Sequence, residues 1–389
     1  MGVSLTEKRS VGEQAGAGQR PLGRSKVMRA GVDPGAGDVE GVDLARPGKQ
    51  ARTGRGRAVH RTRRPGNAGA TRPCRYRTPV PTVVGPGVVQ LDTLLGGWER
   101  MTAGYLVEGD APVLVETGSQ SSVPTLLALL DGLGVGPGDL AGVIVTHVHL
   151  DHAGGVGDVA RAFPGATVYV HAKGARHLAD PSRLVASAAQ VYGDLLDSLY
   201  GRLDPTPAER IRVLEDGDEV VVGPGRTLTA IDSPGHAKHH LAMHDSESGI
   251  LFAGDAVGVR LPDAGVLRPA TPPPDFDLDL ALASLRRFAH RRPSGIALAH
   301  YGLVPEPGTV LDEAAATLSA WAAVAEQAWR QGADVAAALE AAFAAELAGV
   351  DETHRQKLET LNGVHSNAAG LRRWLDKRAG AAGDTRTPT

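Results

Sequence analysis

The ten residues Val143-Ile144-Val145-Thr146-His147-Val148-His149-Leu150-Asp151-His152 govern the reading of this chain. Their apolar head predicts a short buried strand. Their tail crowds three imidazoles and a carboxylate into the six positions from His147 to His152. A strand that stops there delivers those side chains to one sheet edge, where the chain turns into Ala153-Gly154-Gly155. Imidazole nitrogen and carboxylate oxygen suit zinc, iron or manganese, and neighbouring ligands of both kinds imply more than one ion.

Three further candidate ligands each follow an apolar run of their own. His236 closes Ile231-Asp232-Ser233-Pro234-Gly235-His236, Asp255 closes Leu251-Phe252-Ala253-Gly254-Asp255, and His300 closes Ile296-Ala297-Leu298-Ala299-His300. Each reads as a short buried strand that feeds a polar residue into a loop. In this order behind H-x-H-x-D-H, the motifs resemble the metallo-β-lactamase superfamily, on its glyoxalase II-like side, over about residues 83 to 305. A histidine at 149 departs from the superfamily's flavodiiron branch, which carries a glutamate there.

That resemblance implies a ligand set. His147, His149 and His236 would hold one metal; Asp151, His152 and His300 would hold a second; Asp255 would bridge them. The implied cofactors are two divalent ions, zinc first, with iron or manganese as alternatives. The implied reaction is attack by a metal-bridging hydroxide on an ester, thioester or lactone. Asp151 is also implied to assist proton transfer to the leaving group. Tyr301, directly after His300, is a candidate phenolic donor to a substrate oxygen, and so a second catalytic residue. Glu116, in Val113-Leu114-Val115-Glu116-Thr117-Gly118, stands where the superfamily usually has aspartate. It is read as a brace for the ligands that is one methylene longer. Two other readings belong to the same superfamily: a mononuclear iron sulfur dioxygenase and a phosphodiesterase. The intact Asp151, His152 and His300 set speaks against the first.

Charge is divided unevenly. Residues 1–80 carry 17 Lys and Arg against 6 Asp and Glu, a balance of +11, whereas the remainder carries 24 against 38, a balance of −14. The basic Gly/Arg-rich segment has one aromatic, Tyr76, and too little apolar surface to offset the entropy of ordering it, so it is expected to be disordered. Nucleic acid is not the expected partner, because that segment lacks interleaved aromatics and the acidic body repels polyanions. A small-molecule substrate is. No run of 18 apolar residues predicts a membrane span. The single Cys74 excludes an internal disulfide, and with a start that lacks an apolar leader core it points to the cytoplasm.

The expected fold class is α+β: a four-layer αββα sandwich over residues 81–307, a helical C-terminal unit over 308–378, and a frayed tail over 379–389. Arg212–Glu215 and Glu219–Val222 are expected to form a hairpin around Asp216-Gly217-Asp218. Residues 182–201 read as a helical insert with Leu184, Ala188, Val191, Leu195 and Leu199 on one face. The C-terminal unit is read first as a packed cap, with a substrate lid or a homodimer surface as the alternatives.

Overall fold

The computed structural model describes residues 79–193 and 195–384. The basic tail up to residue 78, with Cys74, and the last five residues of the expected frayed end lie outside it. Among the described residues, thirteen strands form two sheets. The first holds β1 (Thr82–Gly85), β2 (Val88–Asp92), β3 (Ala103–Val107), β4 (Val113–Val115), β5 (Gly142–Ile144), β6 (Thr167–His171) and β7 (Ile211–Leu214), in that order. The second holds β8 (Glu219–Gly223), β9 (Arg226–Asp232), β10 (Leu241–Asp245), β11 (Ile250–Gly254), β12 (Gly295–Leu298) and β13 (Gly302–Val304). Ten helices follow or cover these strands: α1 (Val123–Gly132), α2 (Leu150–Ala153), α3 (Val156–Ala162), α4 (Ala172–Ala179), α5 (Ser182–Tyr192), α6 (Leu278–Arg291), α7 (Pro307–Arg330), α8 (Val335–Phe343), α9 (Glu352–Asn362) and α10 (Val364–Asp384).

The inner strands are apolar on both faces because each face meets a packed layer. Alternate residues show it: Val113 and Val115 of β4 and Ile144 of β5 point between the sheets, onto Leu228, Met243 and Phe252. Leu114 and Val143 point outward, onto Leu126 and Leu130 of α1 and Val159 of α3. On the far side, Phe288 of α6 and Leu311 of α7 cover Ile231, Leu251 and Leu298. Those are the four layers, helix, sheet, sheet, helix. A further core built on Trp321, Leu339, Leu371 and Trp374 holds α7, α8 and α10 together.

Strand direction places the ligand loops. β10 runs antiparallel to both β9 and β11, and β11 runs parallel to β12. The ends of β9, β11 and β12 therefore face the same way, and His236, Asp255 and His300 leave from one edge. β4, β5 and β6 are likewise parallel.

Two local expectations are corrected. β7 and β8 are not a hairpin: β7 pairs with β6 in the first sheet, and β8 pairs with β9 in the second. The turn at Asp216-Gly217-Asp218 carries the chain from one sheet to the other. Turn chemistry fixes a reversal of direction, but the apolar partners available decide which strand is paired. The insert does not present one continuous helical face either. Its helix ends at Tyr192, and Leu196–Tyr200 form a separate π turn, so Leu196, Leu199 and Tyr200 are buried while Leu195 is 56% exposed. The change of helical period rotates the buried face by one residue. Helices α6 and α9 were not expected, and α10 continues to Asp384.

Candidate metal centre

β5 ends at Ile144, the chain bends at Thr146 and His147, and His149 is extended just before α2 begins. That bend turns His147 and His149 toward each other. The helical turn that follows then swings Asp151 and His152 to the adjacent position. At β11 the turn into Asp255 is made by Gly254 (φ 48°), where a Cβ would lie 2.5 Å from Thr146 Oγ1 and 2.6 Å from His240 Nε2. Only glycine fits there.

The seven side chains converge. His149 Nδ1 lies 3.0 Å from both His147 Nε2 and His236 Nε2. His152 Nε2 and His300 Nε2 are 3.1 Å apart. Asp151 Oδ2 is 3.4 Å from His300 Nε2, and Asp151 Oδ1 is 3.9 Å from His152 Nε2. Asp255 stands between the groups. Its Oδ2 is 3.6 Å from His236 Nε2, and its Oδ1 is 3.3 Å from His152 and 3.4 Å from His300. Two metal-sized trios, His147/His149/His236 and Asp151/His152/His300, are thus joined by one carboxylate that offers an oxygen to each. The family profile described as the metallo-beta-lactamase superfamily matches residues 97–300, a span that includes all seven of these side chains.

The chain belongs to the metallo-beta-lactamase superfamily. It is similar to a metallo-beta-lactamase fold-containing protein of Sulfurisphaera tokodaii, 28% identical over 60% of this chain and 80% of that one. An acyl-coenzyme A thioesterase of Bos taurus is 34% identical over 29% of this chain and 40% of its own length. A hydroxyacylglutathione hydrolase of Aeromonas salmonicida is 30% identical over 37% and 42%. A crystal structure of an archaeal superfamily protein from Sulfolobus tokodaii shares the fold, with TM-score 0.55 and 22% identity over 74% of this chain and 98% of that one.

Hydrogen bonds from outside the centre fix which nitrogen His147, His236 and His300 present. Thr146 Oγ1 donates to Glu116 Oε1 and so accepts from His147 Nδ1, 3.0 Å away, leaving His147 Nε2 bare. His236 Nδ1 donates to the Ala270 carbonyl at 3.0 Å, and His300 Nδ1 donates to the Met101 carbonyl at 2.9 Å. Glu116 therefore reaches the ligand strand from where an aspartate is usual, and the same Oε1 is 3.5 Å from His152 Nδ1. His240 is no ligand: its Nε2 accepts from the Asp255 backbone N–H at 3.3 Å, and its Nδ1 faces Ser233 Oγ at 2.8 Å. His239 accepts from the Val148 N–H at 3.4 Å, and burial pushes its imidazole down to about 4.

A divalent cation fits this donor set. Asp255 Oδ1 is buried and makes no hydrogen bond, facing the His152 and His300 nitrogens at 3.3 and 3.4 Å instead, an arrangement a shared cation would satisfy. Burial pushes His147, His149 and His236 below the ordinary histidine range, so they present neutral lone pairs. For His152 and His300, burial acts the same way but the neighbouring carboxylates outweigh it, and both are raised. For Asp255, burial opposes ionisation, yet the surrounding imidazoles hold it well below the usual carboxylate range.

His149 and His236 of one trio, Asp151 and His300 of the other, and Asp255 form the floor of a cleft of about 210 Å³. Leu184, Ala188 and Tyr200 of the insert make one wall, Pro272 to Pro274 a second, and Leu361, Asn362, Ser366 and Asn367 of the C-terminal unit a third. The C-terminal unit is thus more than a remote cap. Tyr301 is not brought to this cleft. Its ring packs among the buried clusters at the sheet end, Gln90 bonds its hydroxyl, and burial pushes the phenol up to about 12. The cleft-lining Asn362 and Asn367 escaped sequence reasoning, since two asparagines in a helical region carry no motif.

Proposed function

We propose that this protein is a dinuclear metal-dependent hydrolase that cleaves ester or thioester bonds next to an uncharged, apolar acyl group. The observation that carries this reading is the pairing of two buried ligand trios, joined through Asp255, with a cleft that no Lys or Arg lines among the described residues. Away from the metal floor, a charged group on the substrate would lose its hydration without gaining a cationic side chain, which favours an uncharged acyl portion. One relative is named an acyl-coenzyme A thioesterase and another a hydroxyacylglutathione hydrolase, and both names support hydrolysis at an acyl group.

His147, His149 and His236 would hold one cation, and Asp151, His152 and His300 the other, with Asp255 shared. Bound there, divalent cations acidify water and polarise a carbonyl oxygen. The chain supplies the rest. Leu184, Ala188, Leu361 and the proline run hold the acyl group and exclude bulk water, which strengthens every electrostatic contact on the cleft floor. Asp151 has a side chain 16% exposed at that floor. Its Oδ1, the oxygen farther from its imidazole partner, can receive a proton and return it to the leaving group.

No helix among the described residues is long and apolar enough to cross a membrane, and we place the protein in the cytoplasm, acting as a monomer or homodimer on small molecules. The test is a panel of acyl esters, acyl thioesters, lactones and phosphodiesters, run on purified protein with bound metals quantified. The expected result is about two divalent ions per chain and fastest turnover of apolar acyl esters or thioesters. Preference for phosphodiesters, or a single iron with oxygen uptake on a persulfide, would overturn the proposal.

A further inference from the structure

One peptide plane links the C-terminal helices to a metal ligand. The Ala270 carbonyl accepts from His236 Nδ1 at 3.0 Å, and this bond aims His236 Nε2 at its trio. The N–H on the other side of the same planar unit belongs to Thr271, and it donates to Asn367 Oδ1 at 2.6 Å. Asn367 and His236 therefore grip opposite ends of one rigid group. Thr271 Oγ1 adds a second bond to Asn367 Oδ1 at 3.0 Å.

Asn362 completes the hold. Its Nδ2 donates to the Pro269 carbonyl at 3.1 Å, while its Oδ1 accepts from Asn367 Nδ2 at 2.5 Å. Both asparagines are buried, Asn367 at 1% exposure, and both also border the cleft. Gly370, one turn beyond Asn367, lets α10 seat directly on the strap: a Cβ there would lie 1.8 Å from the Thr271 carbonyl oxygen. Hydrogen bonds in series polarise one another, so a firm bond at Thr271 N–H makes the Ala270 carbonyl a better acceptor for His236.

We propose that Asn367 is a positioning residue for His236, acting through the Ala270–Thr271 peptide, and that the C-terminal helical unit thereby tunes the metal centre. This rests on the two-cation reading above. The experiment titrates Zn2+ into the metal-free full chain against a chromophoric chelator, for the wild type, Asn367→Ala and Leu371→Ala. Leu371 is fully buried in the same C-terminal core but does not touch the strap by any hydrogen bond. In Asn367→Ala one of the two ions should lose about ten- to hundredfold in affinity while the other is kept. Leu371→Ala should lower the melting temperature and keep both affinities.

Equal affinities in Asn367→Ala and wild type would overturn the inference, as would an equal loss in Leu371→Ala. Wild type that takes up no Zn2+ would overturn the metal centre itself, which is a separate result. If Asn367→Ala does not fold, Asn362→Ala is read in the same way, since it removes the bond to Pro269 and the support of Asn367; unchanged affinity there sinks the idea.

Discussion

The two ligand trios are built from different chemistry. His147, His149 and His236 are three imidazoles with their nitrogens about one another and their proton affinity lowered by burial. Asp151, His152 and His300 mix a carboxylate with two imidazoles whose proton affinity the surrounding acids raise against burial. The first trio is ready for a cation at neutral pH. The second holds protons that a cation must displace. One carboxylate, Asp255, serves both.

The largest expected effect removes what the trios share. Asp255→Ala should lower kcat by about three orders of magnitude, or about 4 kcal/mol of barrier, and reduce bound metal at both positions. Metal analysis that still finds two ions would deny Asp255 its bridging place. Next come substitutions that separate the trios. His236→Ala and His300→Ala should each leave about one ion per chain and cost about a hundredfold in kcat, with the surviving ion on opposite sides of Asp255.

Glu116 touches both trios through Thr146 and His152. Glu116→Ala should weaken zinc affinity by about ten- to a hundredfold, whereas Glu116→Asp should recover most of it if the longer acid is only a variant brace. Acidity then distinguishes the trios directly. In His300→Ala the retained first trio should show an affinity that is flat above about pH 6.5, because its imidazoles have already lost their protons. In His236→Ala, affinity at the second trio should keep rising above that pH, as a raised His152 and His300 release theirs. Parallel pH profiles in the two variants would erase the contrast. The smallest effect is expected for Tyr301→Phe: away from the cleft, it should change kcat by less than about twofold, and a tenfold fall would return the phenol to the reaction.

Much of the centre was legible in the chain. His147 to His152 fall within six residues, across a bend and the first turn of α2, so spacing alone brings them together. His236, Asp255 and His300 could be found because each ends an apolar run, and strands that run the same way release their last residues at one edge. The sandwich followed from the same runs. What could not be read depended on partners far along the chain. Alternation in Arg212–Glu215 and Glu219–Val222 is equally good for a hairpin and for two strands in different sheets. The insert's face moved because its helical period changed after Tyr192, and helix α9, rich in charge, has a weak apolar stripe. Asn367 and Asn362 gain their meaning only from the backbone of Pro269 to Thr271, nearly a hundred residues earlier.

The crossing at Asp216-Gly217-Asp218 has a mechanical outcome. Everything before it, from β1 to β7, builds one sheet, and everything after it, from β8 to β13, builds the other. Each trio draws on both sides: two ligands from residues 147–152 and one from beyond residue 230. With a lone cysteine in the chain, a cation seated in either trio acts as a rivet between successive halves. Loading zinc should therefore make the sandwich melt as a single tougher block, by a margin that grows with the logarithm of free zinc over its dissociation constant.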